Sequence, residues 1–182
     1  LAGMIMNIPV VATVHGRPLY DMRSRLSRKM TDRIIFVSAK TFEANRYNEF
    51  FTMKSVLIHN GVRISNDKGT INHHSMLYVC RIDKKHASVI SMLIKNVLPG
   101  IIRNFPKVTF EIIGDGKFLE DLRKEAGILH RENNREVCRF HGYLNDVRPV
   151  VNRSGIVMGV GRVALEALSC SVPVISLNRM FL

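Results

Sequence analysis

The residues best suited to chemistry form one short stretch near the end of the chain, residues 159–168. Two glycines, Gly159 and Gly161, allow the backbone to turn tightly and to approach a ligand closely. A predicted helix follows, and the N-terminus of a helix offers free N–H groups and the positive end of a dipole to an anion. Arg162 lies in the first turn of this helix, where it can reach a phosphate. Glu166 follows at i+4 on the same side, where its carboxylate can accept hydrogen bonds from sugar hydroxyls.

The same stretch also fits a simpler interpretation, a tight turn into an ordinary core helix with Glu166 on a solvated face. Another alternative is a dinucleotide site, because residues 159–164 have the pattern G-x-G-x-x-A. Asn178-Arg179 would then serve NADP in an oxidoreductase. Such a fingerprint usually opens its domain, whereas here it lies near the end of the chain, so the oxidoreductase is the weaker alternative.

The elements that position these residues alternate along the chain between short apolar runs, which predict buried strands, and amphipathic segments, which predict helices. This alternation predicts an α/β fold with parallel sheets and helices on both faces. A polar stretch, residues 65–74, predicts a linker between two doubly wound, Rossmann-like domains, residues 1–64 and 75–182. The predicted strands cover residues 9–14, 33–38, 55–59, 76–79, 108–113, 137–140, 155–158 and 173–175. The predicted helices cover residues 20–30, 40–50, 87–104, 118–130, 145–152 and the segment after Gly161. Pro99-Gly100 is expected to kink or split the helix over residues 87–104.

A further candidate residue lies in the N-terminal half of the chain. The strand that ends at Val14 leads directly into His15-Gly16. Because open α/β sheets place ligand groups at the carboxyl ends of their strands, His15 is a candidate for contact with a substrate. Its alternative role is a hydrogen bond within its own loop, and its position alone does not separate the two.

Composition narrows the class of partner. The formal net charge is +12, and a basic surface attracts phosphorylated small molecules, nucleic acid or anionic lipid. Nucleic acid is not an expected partner, because aromatic residues are few, Trp is absent and no binding motif occurs. The basic segment 20–30 carries an apolar stripe, so it either packs on the core or lies on an anionic membrane surface.

Cysteine usage and the chain ends bear on the cellular setting. The three cysteines lie in apolar contexts and form no disulfide framework, which fits a reducing, cytoplasmic location. His73-His74 lacks the cysteine spacing of a zinc site, so no metal is expected. No apolar run reaches the roughly 18 residues of a membrane span, and the start lacks the basic region of a signal peptide. The chain begins inside an apolar stretch and ends after a strand-like run, so we expect a fragment of a longer protein.

Several stretches, taken together, resemble one family, the retaining glycosyltransferases of family 4, which have the two-domain GT-B fold. Residues 112–116 resemble its I-V-G-D-G motif, and residues 165–175 resemble its L-E-A-M-A-x-G-x-P-V-I motif. The matching stretches stand in the family's order at residues 13–16, 32–38, 57–62, 77–82, 112–116, 140–142 and 165–175. Each is weak alone, but their order and their coverage of nearly the whole chain make the resemblance specific.

The resemblance implies that a UDP- or GDP-linked sugar is transferred, with retention, to a glycan or lipid-linked acceptor. The donor would be bound mainly by the C-terminal domain, without a metal or other cofactor. The acceptor would approach from the N-terminal domain, of which residues 1–64 would be the C-terminal part. Because the diphosphate leaving group gathers negative charge, fixed positive charge is needed beside it. Arg81 matches the family's phosphate-binding arginine, Glu166 the glutamate that holds the ribose, and His15 the histidine near the donor sugar. The remaining expected donor-binding residues are Lys84, Lys85, Gly114, Gly116, Gly159, Gly161, Arg162 and Val163.

This chain departs from the family pattern at two positions of the expected site. The first glutamate of the E-x7-E motif, which normally faces the donor sugar, falls at Met158. The lysine that follows the arginine falls at His86, and Lys84 or Lys85 would substitute for it. A module that binds a nucleotide sugar without transferring it is therefore the main alternative function. The family's glycine-rich first loop and closing helix have no counterpart in the chain, so both domains are expected to be incomplete.

The hypothesis from the sequence is a cytoplasmic glycosyltransferase of polysaccharide or cell-envelope assembly. Peripheral contact with the membrane would be made through the basic segment 20–30.

Overall fold

Two parallel sheets organise the part of the chain that the computed structural model describes, residues 6–15, 25–45, 53–64 and 69–176. Contacts divide the chain into two units, Leu1–Gly61 and Val62–Leu182. The smaller sheet lies in the first unit and the larger one in the second. The assignment of these units to an acceptor side and a donor side stays a prediction.

The first unit contains a parallel sheet of three strands in the order β1-β2-β3. Its strands are β1 (Val11–Val14), β2 (Arg33–Phe36) and β3 (Ser55–Leu57), and its described helices are α1 (Arg25–Met30) and α2 (Ala39–Glu43). The Ser38 hydroxyl caps α2 by accepting a hydrogen bond from the Thr41 N–H at 3.2 Å. Phe36 meets Phe42 of this helix edge-on, with ring centroids 5.8 Å apart, so α2 packs on the buried face of the sheet.

Two predicted helices of this unit are described only in part. The structure describes the segment 20–30 as helical over α1, and residues 20–24 lie outside the described residues. The helix predicted over residues 40–50 ends at Glu43, where a turn follows, and residues 46–50 are not described. The described part of the basic segment 20–30, helix α1, is compatible with both the core and the membrane interpretation.

The second unit contains a parallel sheet of five strands in the order β6-β5-β4-β7-β8. The strands are β4 (Asn72–Val79), β5 (Thr109–Ile113), β6 (Cys138–Gly142), β7 (Ser154–Gly159) and β8 (Val174–Ser176). The helices are α3 (Lys84–Met92), α4 (Leu98–Asn104), α5 (Leu119–Asn133), α6 (Arg148–Val151) and α7 (Arg162–Ser169), with a π-helical segment (Leu93–Val97) between α3 and α4. The predicted α/β class with doubly wound parallel sheets is confirmed.

Two apolar clusters cover the two faces of this sheet. The larger cluster joins one face to α3, the π-helical segment, α4 and α5, and it includes Tyr78, Phe110, Ile112 and Met158. The smaller cluster joins the opposite face to α6 and α7 through Leu77, Ile113, Val157, Val151 and Ala167. Neighbours in sequence, such as Leu77 and Tyr78, fall into different clusters because successive side chains of a strand point to opposite faces. Near-continuous apolar strands are therefore required, as in other sheets buried on both sides.

The start of β4 corrects the predicted linker. β4 begins at Asn72, so the last residues of the stretch 65–74 belong to a strand. Asn72 is the register partner of Ser154, and its N–H donates to the carbonyl of Arg153 at 2.7 Å. Residues 72–74 are polar and exposed, so hydrophobic patterning gave no indication of this pairing.

The long helix predicted over residues 87–104 begins earlier and is not uniform. Asp83 caps α3, which therefore starts at Lys84, three residues before the predicted start at Ala87. The π-helical segment precedes Pro99, and the Leu98 N–H donates to the carbonyl of Leu93, five residues back. Pro99 has no N–H and its ring crowds the carbonyl of residue i−4, so the wider turn relieves a conflict that α-helical geometry would create.

A buried carboxylate joins several strands of the second unit. The Glu111 side chain in β5 is only 5% exposed and accepts hydrogen bonds from the Ser75 hydroxyl at 2.8 Å and from Arg153 at 2.9 Å. Its second oxygen also lies 2.7 Å from Nε2 of His141. Burial raises the pKa of Glu111, but the three hydrogen bonds outweigh this effect and hold the pKa below its ordinary value of 4.5. The network keeps a charged group in the sheet without an unpaired charge.

Candidate functional site

The strand order of the second unit defines where a ligand site is expected. The chain runs from the central strand β4 outward through β5 and β6, and then from β7 to β8 on the other side. The sheet therefore has a topological switch point between β4 and β7. Open α/β sheets bind ligands outside the carboxyl ends of their strands at such a point. The loops 80–83, after β4, and 160–161, after β7, flank this crevice.

On the β7 side, two glycines shape the turn into α7 for different reasons. Gly159 is buried, and a Cβ there would lie 2.8 Å from Cγ1 of Val163, so its lack of a side chain lets the first helical turn pack on the strand. Gly161 has φ 61°, a conformation that favours glycine, and no described atom lies within 4 Å of where its Cβ would be. The predicted tight turn is present, with open space above it.

The N-terminus of α7 has the features of an anion site. Gly161 is the N-cap residue and supplies no side-chain acceptor, and no side-chain cap is present among the described residues. The first helical hydrogen bond runs from the Leu165 N–H to the Gly161 carbonyl at 3.2 Å. The N–H groups of Arg162 and Val163 come before this first bond, so they have no acceptor within the helix. They can donate hydrogen bonds to a phosphate.

Arg162 and Glu166 form an ion pair on this helix. Nε of Arg162 donates to Oε1 of Glu166 at 2.8 Å, and the two side chains are 82% and 17% exposed. An exposed pair at i, i+4 contributes only about 0.3–0.5 kcal/mol. Arg162 can therefore leave this contact for a phosphate at little cost, and Glu166 would then be available to sugar hydroxyls.

On the β4 side, three basic residues lie close together in sequence and are exposed. Arg81 lies in the loop, and Lys84 and Lys85 are the first residues of α3. The carboxylate of Asp83 caps the helix by accepting from the His86 N–H at 3.0 Å, and this hydrogen bond is the main reason why its pKa lies below 3.8. The amide at this helix end thus already has an anionic partner, so the side chains are what this loop can offer a phosphate.

Gly114 and Gly116 support the loop that carries Arg81. Both have positive φ, at 141° and 159°, and a Cβ would collide with the carbonyl oxygen of Cys80 at the first and of Ile82 at the second. The Cys80 N–H donates to Ile113 and the Ile82 N–H to Asp115, each at 3.0 Å. The two glycines therefore serve close packing between two loops, and their predicted contact with a donor stays a prediction.

Cys80 lies within this packed loop. Burial is the largest cause that raises the pKa of its thiol, to about 12, and the charge of Asp83 acts in the same direction. The thiol therefore stays protonated at neutral pH and acts as a small apolar group.

Sequence reasoning missed a hydrogen bond at the base of the crevice. The Tyr78 hydroxyl lies 2.8 Å from Nδ1 of His86, and Tyr78 is 2% exposed. The residues are eight apart, on a strand and on the following helix, so neither helical nor strand periodicity could have indicated the pair. Met158, the register partner of Tyr78, is 3% exposed and lies in the same apolar cluster.

His15 lies at the carboxyl end of its strand, as predicted. It follows Val14 directly, is exposed and belongs to the first unit. Its contact with a donor sugar stays a prediction.

The described residues contain neither a candidate metal centre nor a candidate membrane span. Within residues 6–15, 25–45, 53–64 and 69–176, no group of three or more His, Cys, Asp or Glu side chains is placed to hold a metal ion. In the same residues, no helix combines the length and the apolar character needed to cross a bilayer.

Comparison with known proteins identifies the class. Residues 73–180, more than half of the chain, match the model of the family described as Glycosyl transferases group 1, and the chain belongs to this family. A search of the curated proteins found no match.

Solved structures of glycosyltransferases share the fold. HepE from Anabaena, in complex with UDP and glucose, is 19% identical over 96% of this chain, with a TM-score of 0.68. The pneumococcal O-GlcNAc transferase GtfA, in complex with UDP and GlcNAc, is 13% identical over 93%, with a TM-score of 0.70. TarM of S. aureus, in complex with UDP and other ligands, is 16% identical over 92%, with a TM-score of 0.64. The predicted GT-B fold is confirmed, and the chain spans 54%, 37% and 36% of these proteins, respectively.

Proposed function

We propose that this chain is part of a retaining glycosyltransferase of family 4, which transfers a sugar from a nucleotide-diphosphate donor to a glycan or lipid-linked acceptor. The observation that carries the proposal is the topological switch point of the second unit. There the exposed Arg81 follows β4, and the uncapped N-terminus of α7, with Arg162 and Glu166, follows β7. An anion binds in such a crevice, and a carboxylate one helical turn further on suits the ribose.

The chemistry of transfer suits this charge distribution. As the glycosidic bond breaks, negative charge accumulates on the leaving diphosphate, and cationic groups held beside it lower the barrier. Arg81, Lys84 and Lys85 supply such charge from one side, and Arg162 with the helix end supplies it from the other. His15 would hydrogen-bond a hydroxyl of the donor sugar or orient the acceptor.

UDP is the first donor nucleotide to test, because HepE and GtfA were both solved with UDP. GDP-linked sugars are the alternative. Thermal unfolding of the chain with UDP, GDP and NADPH separates the candidate classes. Ligand at about 100 times Kd stabilises the fold by about 2.7 kcal/mol, which gives a readily measured rise in Tm. Stabilisation by NADPH without any effect of UDP or GDP would refute the glycosyltransferase proposal in favour of the oxidoreductase.

A module that binds nucleotide sugars without transferring them is the second candidate. Its support is Met158, because an apolar side chain buried in the core stands where the resemblance places a glutamate that faces the sugar. The discriminating experiment is release of labelled sugar from UDP-sugar and GDP-sugar donors by the full-length polypeptide. Binding of UDP or GDP without hydrolysis or transfer would establish the module, and turnover would exclude it.

The cellular setting is a separate part of the proposal. We place the protein in the cytoplasm, in polysaccharide or cell-envelope assembly, with the basic segment 20–30 on an anionic membrane surface. Charge reversal of Arg23, Arg25 and Arg28 to Glu should weaken co-sedimentation with anionic vesicles. Unchanged co-sedimentation would remove the membrane contact from the proposal.

A further inference from the structure

The hydroxyl of Tyr78 has one described partner. Tyr78 is 2% exposed, and a buried phenol requires a hydrogen-bond acceptor for its proton. Burial is the largest cause that raises its pKa above the ordinary value of 10.0. The phenol therefore keeps its proton at neutral pH. Nδ1 of His86, 2.8 Å away, is its only described partner within residues 69–176.

This hydrogen bond determines which ring nitrogen of His86 carries a proton. When Nδ1 accepts from the phenol, the neutral imidazole carries its proton on Nε2. The other neutral form, with a proton on Nδ1 alone, would leave the buried phenol proton without an acceptor, which is unfavourable. Nε2 is therefore a hydrogen-bond donor in the favoured neutral form.

The position of His86 makes this donor useful. The residue is half-buried in the first turn of α3, at the end of the loop that carries Arg81. This turn follows β4 and so lies beside the switch point. The backbone N–H of His86 already donates to Asp83, which leaves the ring as the group available to a ligand. No described residue accepts a hydrogen bond from Nε2.

We propose that His86, oriented by the buried hydroxyl of Tyr78, donates a hydrogen bond from Nε2 to a diphosphate oxygen of the donor nucleotide. This inference rests on the proposed function. His86 is a binding residue in this scheme, and Tyr78 is a positioning residue that acts through it. The β4 side of the crevice thus offers a fixed, directional donor in addition to the flexible charges of Arg81 and Lys85.

The first experiment compares the affinities for UDP, GDP and uridine by calorimetry. The double variant H86A/Y78F removes both members of the pair and so leaves no buried hydroxyl unpaired. It should weaken binding of the preferred diphosphate about tenfold, the effect of one hydrogen bond to a charged group, and leave binding of uridine unchanged. H86K, which keeps a cationic donor, should stay within about threefold of the wild type. H74A removes an exposed histidine at the opposite end of β4 and is the matched control.

The second experiment tests the positioning role by spectroscopy. The ¹⁵N shifts of the imidazole in the wild type should show the proton on Nε2 with Nδ1 as acceptor, and Y78F should show a mixture of tautomers. A merely structural role of Tyr78 would change Tm and leave the tautomer unaffected. Y78F, a conservative change, carries the test through its tautomer and its diphosphate binding if the double variant does not fold.

The outcomes separate the two proposals. If the wild type binds neither UDP nor GDP, both the proposed function and this inference fail. If the wild type binds a diphosphate and the double variant, or Y78F where the double variant does not fold, binds it equally well, the role of His86 alone is overturned. A wild-type spectrum with the proton on Nδ1 alone would also overturn it.

Discussion

Tyr78 and Met158 are register partners on β4 and β7, the two strands that meet at the switch point, and both side chains are buried in one apolar cluster. The base of the crevice is therefore apolar on the larger-cluster face, apart from the Tyr78 hydroxyl and its bond to His86. The charges available to a diphosphate come from the loops and helix ends above it.

Met158 gives the first prediction. M158E would place an unpaired carboxylate at a position that is 3% exposed, and we expect it to lower the free energy of unfolding by about 3–5 kcal/mol. M158L conserves volume and should cost less than about 1.5 kcal/mol. Urea unfolding of both variants measures the difference. A stable M158E variant that gains sugar transfer would show that position 158 faces the donor and not the core.

Gly161 gives the second prediction. Because its φ is 61°, G161A should destabilise the fold by about 1–3 kcal/mol, although no described atom would meet the added methyl group. The matched control is G100A in α4, where φ is ordinary and space is free, and it should stabilise by about 0.5–1 kcal/mol. Thermal unfolding of the two variants should therefore shift Tm in opposite directions. Equal shifts would argue against the left-handed turn before α7.

Arg81 and Glu166 give the third prediction, which separates the phosphate from the ribose. R81A should weaken binding of UDP about tenfold and leave uridine unaffected, because the proposed contact of this arginine is with phosphate alone. E166A should weaken UDP and uridine by a similar factor, because both contain the ribose. Isothermal titration at two salt concentrations measures these effects, and only the arginine contribution should shrink as salt rises. If R81A weakened both ligands equally, Arg81 would not be the phosphate contact.

Glu111 gives the fourth prediction, a pH dependence of stability. Its pKa is lower in the folded chain than its ordinary 4.5, so its charged form stabilises the fold above that pH. This stability is lost as pH falls below 4.5 and through the folded pKa. E111Q should lower the free energy of unfolding by about 1–3 kcal/mol at pH 7 and by less at pH 3.

The control for this prediction is E120Q, because the Glu120 side chain is 71% exposed and pairs with Arg123 on the surface. It should change stability by less than about 0.5 kcal/mol at either pH. A difference between wild type and E111Q that stays constant from pH 7 to pH 3 would contradict the proposed charge network.

Most strands and helices of the second unit, and the glycine turn before α7, could be predicted from the sequence, because each depends on residues that are neighbours along the chain. Apolar runs such as residues 108–113 indicate buried strands, and the turn at Gly161 needs only a positive φ. The boundaries were harder. Asp83 as a helix cap could have been found from its position before a helix, since Asp is a favoured N-cap residue. The polar start of β4 could not, because its pairing with β7 depends on a segment about 80 residues away.

The contacts within the site were less accessible from sequence than the positions of its residues. Motif and spacing predict Arg81 and Arg162 as site residues, whereas the hydrogen bond between Tyr78 and His86 depends on how α3 packs against β4. The same holds for Glu111, whose partners Ser75, His141 and Arg153 come from three other segments. Such groups combine only once the tertiary fold exists, so a single sequence carries no periodic pattern for them.

The π-helical segment affects the rotation of α3 about its axis, and so the direction of the side chains in the first turn of α3. Ile90, Ile94, Leu98 and Ile102 are all buried, although a spacing of four residues advances about 40° round an α-helix at each step. The wider turn between Ile94 and Leu98 removes much of that advance, which keeps the four side chains in one stripe. Deletion of one residue from the π-helical segment would rotate α3 by about 100° about the helix axis relative to α4. Lys84, Lys85 and His86 lie upstream of this segment, so the length of the turn before Pro99 affects the direction in which their side chains point.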